Sequence, residues 1–383
     1  MKQPVKVFIC AGEASGDLHA AALIRAIGAA HSESLFYGVA GPSMRAAGCN
    51  TIEPMSKLNV MGIGDVIRAL PRIRRVESSL CDWLKVNQPD IVILVDFPGF
   101  NMRLGKRIKQ MGIPVIHYIA PKLWAWGAWR SKKLALSQDY LASILPFEVQ
   151  WFKKRGIKAN YVGNPSAISC RAGWSRTELN QKLGLDKHDF LLALLPGSRP
   201  GELARHAQLL ADFNRIIKAQ FPYLKTVVTR APGVTDDHLR PLLDSGVMLV
   251  DRMDEGYAMR ADAAVAVSGT ATLELALWDV PTVLVYKNSG GMVWLGRKLV
   301  QVHCGGLANI LLGDREVMPE LIQENATVEN ITKALVPIIS GVAADSQRRE
   351  FKALRALLGE RNPAEEVAKV VLQMIEERSL NHL

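Results

Sequence analysis

The most constraining stretch of the chain is Ala263-Ala-Val-Ala-Val-Ser-Gly-Thr-Ala-Thr-Leu-Glu-Leu-Ala-Leu277. A continuous apolar run ending in small residues reads as a buried parallel strand entering its helix. Ser268-Gly269-Thr270 forms the tight polar turn between them. Gly269 lets a ligand approach the backbone, and the helix beyond offers unpaired N–H groups and a positive dipole end, a setting for phosphate. Glu274 falls within the expected first turn, where a carboxylate suits the dipole. A capping box would need Ser or Thr three residues earlier, and that position is Ala271. Glu274 is therefore a candidate acceptor for ribose hydroxyls. The alternative is a well-made strand–helix turn with no ligand.

The rest of the chain repeats this grammar. Val5–Ala11, Leu35–Gly41, Ile91–Asp96 and Val115–Ile119 read as strands, with helical patterns at Leu18–Ala30 and Leu104–Met111. Gly163-Asn164-Pro165 reads as a hinge. A second series follows: strands Phe190–Leu195, Thr226–Thr229, Val247–Val250, Ala263–Val267 and Thr282–Tyr286, with a helix over Leu203–Gln220. After Val328 the pattern is helical. Such alternation predicts α/β architecture, two Rossmann-like domains facing a cleft. The 383 residues suffice for two cores. Ligands in such sheets bind beyond the carboxyl ends of the strands, so the loops after Ala11, Gly41, Asp96, Leu195 and Val267 are the informative ones.

Composition narrows the class. Hydrophobic residues at 49% and charged residues at 22% describe a globular protein, and no apolar run approaches 18 residues. The N-terminus leads directly into a strand without a signal-peptide pattern. Cys10, Cys49, Cys81, Cys170 and Cys304 are scattered, odd in number and not spaced for zinc, which fits a reducing cytoplasm. The net charge of +10 favours nucleic acid, a membrane surface or phosphorylated substrates.

Ala11-Gly-Glu-Ala-Ser-Gly-Asp17 opens the first helix but is not the G-x-G-x-x-G fingerprint, which counts against a nicotinamide enzyme. Glu13 and Asp17 are placed to orient sugar hydroxyls or a nucleophile, unless Asp17 only stabilises a helix start. Asp96 ends the most apolar strand of the first half. Partial desolvation there raises a carboxylate's pKa and makes it a stronger base; the alternative is a satisfied turn aspartate. Asp90, at the opposite end of that strand, reads as structural.

In Leu194-Leu-Pro-Gly-Ser-Arg-Pro-Gly-Glu202, Gly197 and Ser198 form a turn and Arg199 supplies a planar cation for phosphate oxygens. Pro200 suits a first helical turn. No Walker sequence is present. With the Ser268 turn, this loop would clasp a diphosphate.

Met55–Val76 interleaves Val60, Met61, Ile63, Val66, Ile67, Leu70 and Ile73 with Arg68, Arg72, Arg74 and Arg75. A basic amphipathic segment reads as membrane-binding, or as an ordinary core helix that Pro71 bends or interrupts. Trp124, Trp126 and Trp129 either line an acceptor or acyl pocket or fill a domain interface. His19 and His117 flank the proposed cleft, where a lone histidine is more often packed than catalytic. No Ser-His-Asp triad and no Asp-x-Asp metal pair is present.

Taken in order, these residues resemble the lipid-A-disaccharide synthase family over almost the whole chain. The matching motifs are Ala11-Gly-Glu-Ala-Ser-Gly-Asp17, Gly38-Val-Ala-Gly-Pro42, Val60-Met-Gly-Ile63, Asp96 with Pro98, Phe100 and Asn101, and His117-Tyr118 with Pro121 and Trp124-Ala-Trp126. Leu145-Pro-Phe-Glu148, Leu194 to Arg199, Ser268-Gly-Thr-Ala271 with Glu274, and Asn309-Ile-Leu311 complete the set. After Trp126 the chain reads Gly-Ala-Trp-Arg130, where the family pattern brings an arginine sooner.

The resemblance implies a GT-B glycosyltransferase with an acceptor and membrane-binding domain over 1–164, a UDP-sugar donor domain over 165–355, and a C-terminal helix over 356–383 packing back on the first. It implies inverting transfer of 2,3-diacylglucosamine from UDP onto 2,3-diacylglucosamine 1-phosphate, giving the β-1,6-linked disaccharide and UDP. It further implies no cofactor, no metal, no nucleic acid, a cytoplasmic enzyme held peripherally at the inner membrane, and a homodimer through C-terminal regions. Asp96 matches the base, with Glu13 and Asp17 assisting. Ser198, Arg199, Glu202, Ser268, Gly269 and Thr270 would hold the UDP donor, Glu274 its ribose, and Asn309 would lie nearby. Val66, Ile67, Arg68, Leu70, Arg72 and Ile73 would meet the bilayer. The rivals are another GT-B UDP-N-acetylglucosamine transferase or epimerase, and a non-catalytic nucleotide-binding membrane module.

Overall fold

The computed structural model describes residues 4–58, 63–170, 175–231, 233–251, 260–288 and 302–381. Contacts divide the chain into two compact units, Met1–Pro165 with Glu360–Leu383, and Ser166–Gly359.

The first unit is built on a seven-stranded sheet whose strands pair in parallel throughout. Its strands are β1 (Lys6–Ala11), β2 (Leu35–Ala40), β3 (Asn50–Pro54), β4 (Ile91–Val95), β5 (Val115–Tyr118), β6 (Tyr140–Ser143) and β7 (Ala159–Tyr161). They lie in the order β3-β2-β1-β4-β5-β6-β7. Every residue of β4 is buried, as a strand covered on both faces requires. Helix Ala14–Ala30 covers one face with Ala20, Leu23, Ile24 and Ile27. The other face carries helices Ile63–Asn87 and Pro98–Lys109, through Val76, Leu80, Leu104 and Ile108. Ile63–Asn87 runs through Pro71 rather than ending at it.

The second unit has a six-stranded parallel sheet: β8 (Phe190–Leu195), β9 (Leu224–Arg230), β10 (Met248–Asp251), β11 (Ala263–Val267), β12 (Thr282–Tyr286) and β13 (Glu320–Ile322). The order is β10-β9-β8-β11-β12-β13. In both sheets the order reverses once, between β1 and β4 and between β8 and β11. A crevice opens at such a reversal, because the loops on either side lead to opposite faces.

Strands β3, β6, β7 and β13 went unrecognised in the sequence. Three of them are edge strands, and they are short or carry polar residues (Asn50-Thr-Ile-Glu-Pro54, Glu320-Leu-Ile322), so no period-2 signal develops. After Val328 come helices Val328–Ile339, Val342–Leu358 and Pro363–Asn381. The last packs Val367, Ala368 and Val371 into the core beneath Ala14–Ala30. Where the chain leaves the first unit, Gly163 adopts φ +103°, and a Cβ there would collide with the carbonyl of Arg361 on the returning chain. Glycine is required at that passing point.

Candidate active site

At the β1/β4 reversal, the loops after Ala11 and Val95 lie side by side, since Ala11 pairs with Val95. Asp96 and Phe97 both adopt left-handed backbone (φ +47° each), a conformation that costs a non-glycine residue of order 1 kcal/mol or more. Surrounding bonds hold it. Asp96 N–H donates to the Tyr118 carbonyl at 2.9 Å. Asn101, fully buried, donates through Nδ2 to the carbonyls of Val95 and Asp96 at 3.1 and 2.8 Å. The Phe97 ring occupies the space that a Cβ on Gly12 would need.

This turn leaves the Asp96 carboxyl half-buried beside Glu13. Its pKa is raised above the usual carboxylate value, first by burial and then by the Glu13 charge; Lys122 and the Phe97 N–H act in the opposite sense. A carboxylate so placed is a stronger base than one in water. Glu13 is exposed at the N-cap of Ala14–Ala30, with no side-chain cap bond. Lys122, absent from the sequence-derived set, completes the cluster. Its only signal was position, a cation in the loop following β5.

Asp17 has a different place. It is buried, and its carboxylate accepts from Gly41 N–H (2.8 Å), Ser43 N–H (2.8 Å) and Met44 N–H (3.1 Å). It caps the short helix Pro42–Ala46, a different helix from its own. Gly41 is needed because a Cβ there would strike this carboxylate. With those oxygens occupied, Asp17 shapes the loop after β2.

The loop after β5 is pinned by Trp124, whose indole N–H donates to Glu148 Oε1 at 2.8 Å and whose ring meets Phe147 edge-on. Glu148 also bonds Ser143 Oγ. Burial pushes the Glu148 pKa up to about 7. Trp126 and Trp129, by contrast, are 51% and 65% exposed. His117 is fully buried and its burial lowers its pKa to about 4, so it is a neutral, packed residue. Burial lowers the pKa of His19 as well.

In the second unit, a separate group of candidate residues lies at the β8/β11 reversal. Ala266 pairs with Leu195, so the Gly197–Arg199 and Ser268–Thr270 turns are neighbours. Glu202, expected at the donor, orders the turn. Its Oε2 accepts from the N–H groups of Ser198 (3.0 Å) and Arg199 (3.3 Å), and Oε1 pairs with Arg199 Nη1 at 3.5 Å. Gly197, at φ +108°, leaves room for that carboxylate. The Arg199 side chain remains 73% exposed, and Ser198 is exposed.

Ser268 Oγ donates to the Gly305 carbonyl at 2.7 Å, so its hydroxyl locks the turn. Nothing lies within 4 Å of where a Gly269 Cβ would stand, leaving open space above the backbone. The helix runs Thr270–Leu277, which puts half-buried Glu274 just past the first turn rather than in it. Asn309 is buried and engaged on both ends: Nδ2 donates to Met318 O and Glu320 Oε1 (2.8 Å each), and Oδ1 accepts from Val317 and Met318 N–H. It is a staple for its loop. Glu320, also unforeseen, accepts from Gly305 and Gly306 N–H at 2.7 and 2.9 Å. Ser268, Leu284, Tyr286, Gly305, Glu320 and Ile322 line a cavity of about 240 Å³ at these strand ends. His206 ties the two sides together. Its Nδ1 lies 2.7 Å from the Glu202 carbonyl and its Nε2 accepts from Lys287 N–H at 2.8 Å, so Nδ1 carries the proton.

Of the candidate membrane-binding residues, the side chains of Val66, Ile67 and Arg68 lie outside the described residues, as do residues 59–62. Leu70 is half-buried and Arg72 exposed. Ile73 belongs to the core with Val76 and Leu80, so it is not available to a bilayer.

A family model described as lipid-A-disaccharide synthetase matches residues 7–374. A lipid-A-disaccharide synthase of Geobacter metallireducens is 36% identical over 374 residues, 97% of each chain. One of Trichlorobacter lovleyi is 37% identical over 381 residues, 98% of this chain and 99% of its own. Among solved structures, UDP-GlcNAc 2-epimerase from Neisseria meningitidis aligns with a TM-score of 0.64 at 12% identity, covering 97% of this chain and 100% of that one. That likeness shows a common fold, the GT-B class expected from the sequence.

Proposed function

The chain belongs to the lipid-A-disaccharide synthetase family, and from that membership we propose how its residues perform the condensation. UDP-2,3-diacylglucosamine is the donor and 2,3-diacylglucosamine 1-phosphate the acceptor. The acceptor 6-hydroxyl attacks the anomeric carbon as the bond to the β-phosphate oxygen of UDP breaks. The hydroxyl proton passes to Asp96, the configuration inverts, and UDP departs with the electron pair. Atoms and charge balance with no redox change.

The carrying observation is Asp96 itself: a half-buried carboxylate in a strained turn, its pKa raised by burial and by Glu13. General-base catalysis of this kind contributes roughly 10²–10⁴-fold. Glu13 tunes the base, and Asp17 fixes the loop beside it. On the donor side, Arg199 and the N–H groups of the Ser268-Gly269-Thr270 turn would receive the growing negative charge of the diphosphate. Thr270 opens a helix whose positive end would face that charge. Glu274 would hold the ribose. Ser198 offers a hydroxyl, while Glu202 and Asn309 act by holding their loops. Val66, Ile67, Arg68, Leu70 and Arg72 would bring the enzyme to the inner-membrane surface, where both acylated substrates reside. Among the described residues no helix is long and apolar enough to cross a membrane, and the +10 charge suits an anionic leaflet.

The test is incubation of the purified protein with both diacyl sugars and reading of the product by mass. A disaccharide 1-phosphate with release of UDP is expected. Conversion of UDP-N-acetylglucosamine to its C2 epimer, with no disaccharide formed, would favour the epimerase rival. Nucleotide binding with neither product would favour the non-catalytic module.

A further inference from the structure

The segment from Lys122 to Leu136 has one feature to which the proton transfer and UDP departure described above give no role. Its buried members, Leu123, Trp124 and Leu134, anchor it in a core shared with Leu141 and Phe152 or on Glu148. Between and beyond these anchors, Trp126, Trp129 and Leu136 stand 51%, 65% and 57% exposed. An indole is a large apolar body with one polar N–H, and leaving two of them in water is unfavourable unless something covers them. Neither is carried on a floppy strand. Gly127 turns the chain with φ +87°, and a short 3-10 helix (Ala128–Arg130) runs into the helix Ser131–Ala135.

The charged residues of this stretch carry one sign. From Lys122 to Gln138 there is no Asp or Glu, whereas Lys122, Arg130, Lys132 and Lys133 fall within the same stretch. Lys132 and Lys133 are exposed, and the Arg130 guanidinium lies 5.9 Å from the Trp126 ring centre. Tryptophan settles at the headgroup level of a bilayer, with its ring among the first methylenes and its N–H in the wet layer. Lysine and arginine beside it are drawn to anionic headgroups. We propose that Trp126, Trp129 and Leu136, with Lys132 and Lys133, form a second bilayer-docking surface of this chain, distinct from residues 66–72, whose occupant is the headgroup region of an anionic membrane. It rests on the membrane role given above only for its setting, since the two patches share no residue.

The test uses the whole protein and substrate-free vesicles of phosphatidylethanolamine with phosphatidylglycerol, so that no glycolipid pocket contributes. Trp126→Ser with Trp129→Ser is expected to weaken vesicle co-sedimentation about tenfold or more. Lys132→Gln with Lys133→Gln should weaken it roughly fivefold per lysine and flatten its salt dependence. A brominated acyl chain should quench wild-type indole fluorescence, and most of that quenching should vanish in Trp126→Phe with Trp129→Phe, a variant that keeps the apolar bulk and fold. Wild-type sedimentation in the serine and glutamine variants, with quenching unchanged in the phenylalanine variant, would overturn the proposal and leave the patch to a protein partner. A protein that shows this quenching but forms no disaccharide would contradict the proposed reaction and leave the docking surface standing. Full activity with unquenched indoles would do the reverse.

Discussion

The indole N–H of Trp124 donates to Glu148 across 2.8 Å, with both side chains buried at the carboxyl end of the first sheet. Ser143 Oγ lies against the other Glu148 oxygen while also donating to the Leu145 carbonyl at 2.9 Å. Burial raises the Glu148 pKa to about 7, and the donors Ser143 and Trp124 oppose that rise. The folded-state value lies above the ordinary glutamate value of 4.5. The native state therefore holds a proton that the unfolded chain has released, and stability is full below about pH 4.5 and falls as pH rises through about 7. Each pH unit in that window is worth roughly 1.4 kcal/mol at most. Glu148→Gln keeps both hydrogen bonds and removes the titration. Urea unfolding between pH 4.5 and 7 should show a falling midpoint for the wild type and a flatter one for the variant.

Asp96 is tuned by neighbours of opposite sign, Glu13 raising its pKa and Lys122 lowering it. As the base it must be ionised, so its pKa sets the acid limb of the kcat/KM profile. Removing the negative charge with Glu13→Gln should move that limb to lower pH, and Lys122→Gln should move it to higher pH. Two shifts of the same sign, or none, would contradict the arrangement.

Asp17 satisfies three backbone N–H groups of the segment Gly41–Met44. Asp17→Ala leaves them unpaired in a buried place, at about 1–3 kcal/mol for each one that water cannot reach. Gly41→Ala pushes a methyl group against the carboxylate. Both variants should lower the melting temperature by several degrees in calorimetry. An unchanged melting temperature in both would return Asp17 to the list of groups free to touch substrate.

Arg199 projects from a turn whose shape Glu202 maintains. Arg199→Lys keeps the charge but loses the planar fork, and should weaken UDP binding on the order of tenfold, with Arg199→Ala weaker still. Glu202→Ala should also weaken it, by releasing the turn, although the carboxylate itself would repel the diphosphate. Tighter UDP binding in Glu202→Ala, read by calorimetry, would show repulsion outweighing order.

Much of this was legible in the residues. Buried parallel strands such as Ile91–Val95 and Ala263–Val267 announce themselves by unbroken apolar runs. What the sequence hid was where each polar side chain finds its partners. Asp17, Glu202 and Asn309 carry the chemistry of a binding site, yet their oxygens meet backbone N–H groups that only the fold brings near. Ile73 shares its helical stripe with apolar neighbours on a basic background, and periodicity alone does not distinguish a stripe facing lipid from one facing a sheet. Lys122 and Glu320 escaped notice because nothing local marks a residue whose partners are distant in the chain. Short edge strands such as Ala159–Tyr161 are too brief to show any period.

The role of Asp96 is tested most directly by Asp96→Asn, an isosteric change that removes the base and leaves the donor half intact. Disaccharide formation and UDP affinity should be measured on the same preparation. A fall in turnover of roughly 10²–10⁴-fold is expected, with UDP binding unaltered. Turnover within a few-fold of wild type would contradict the role of Asp96 as the base.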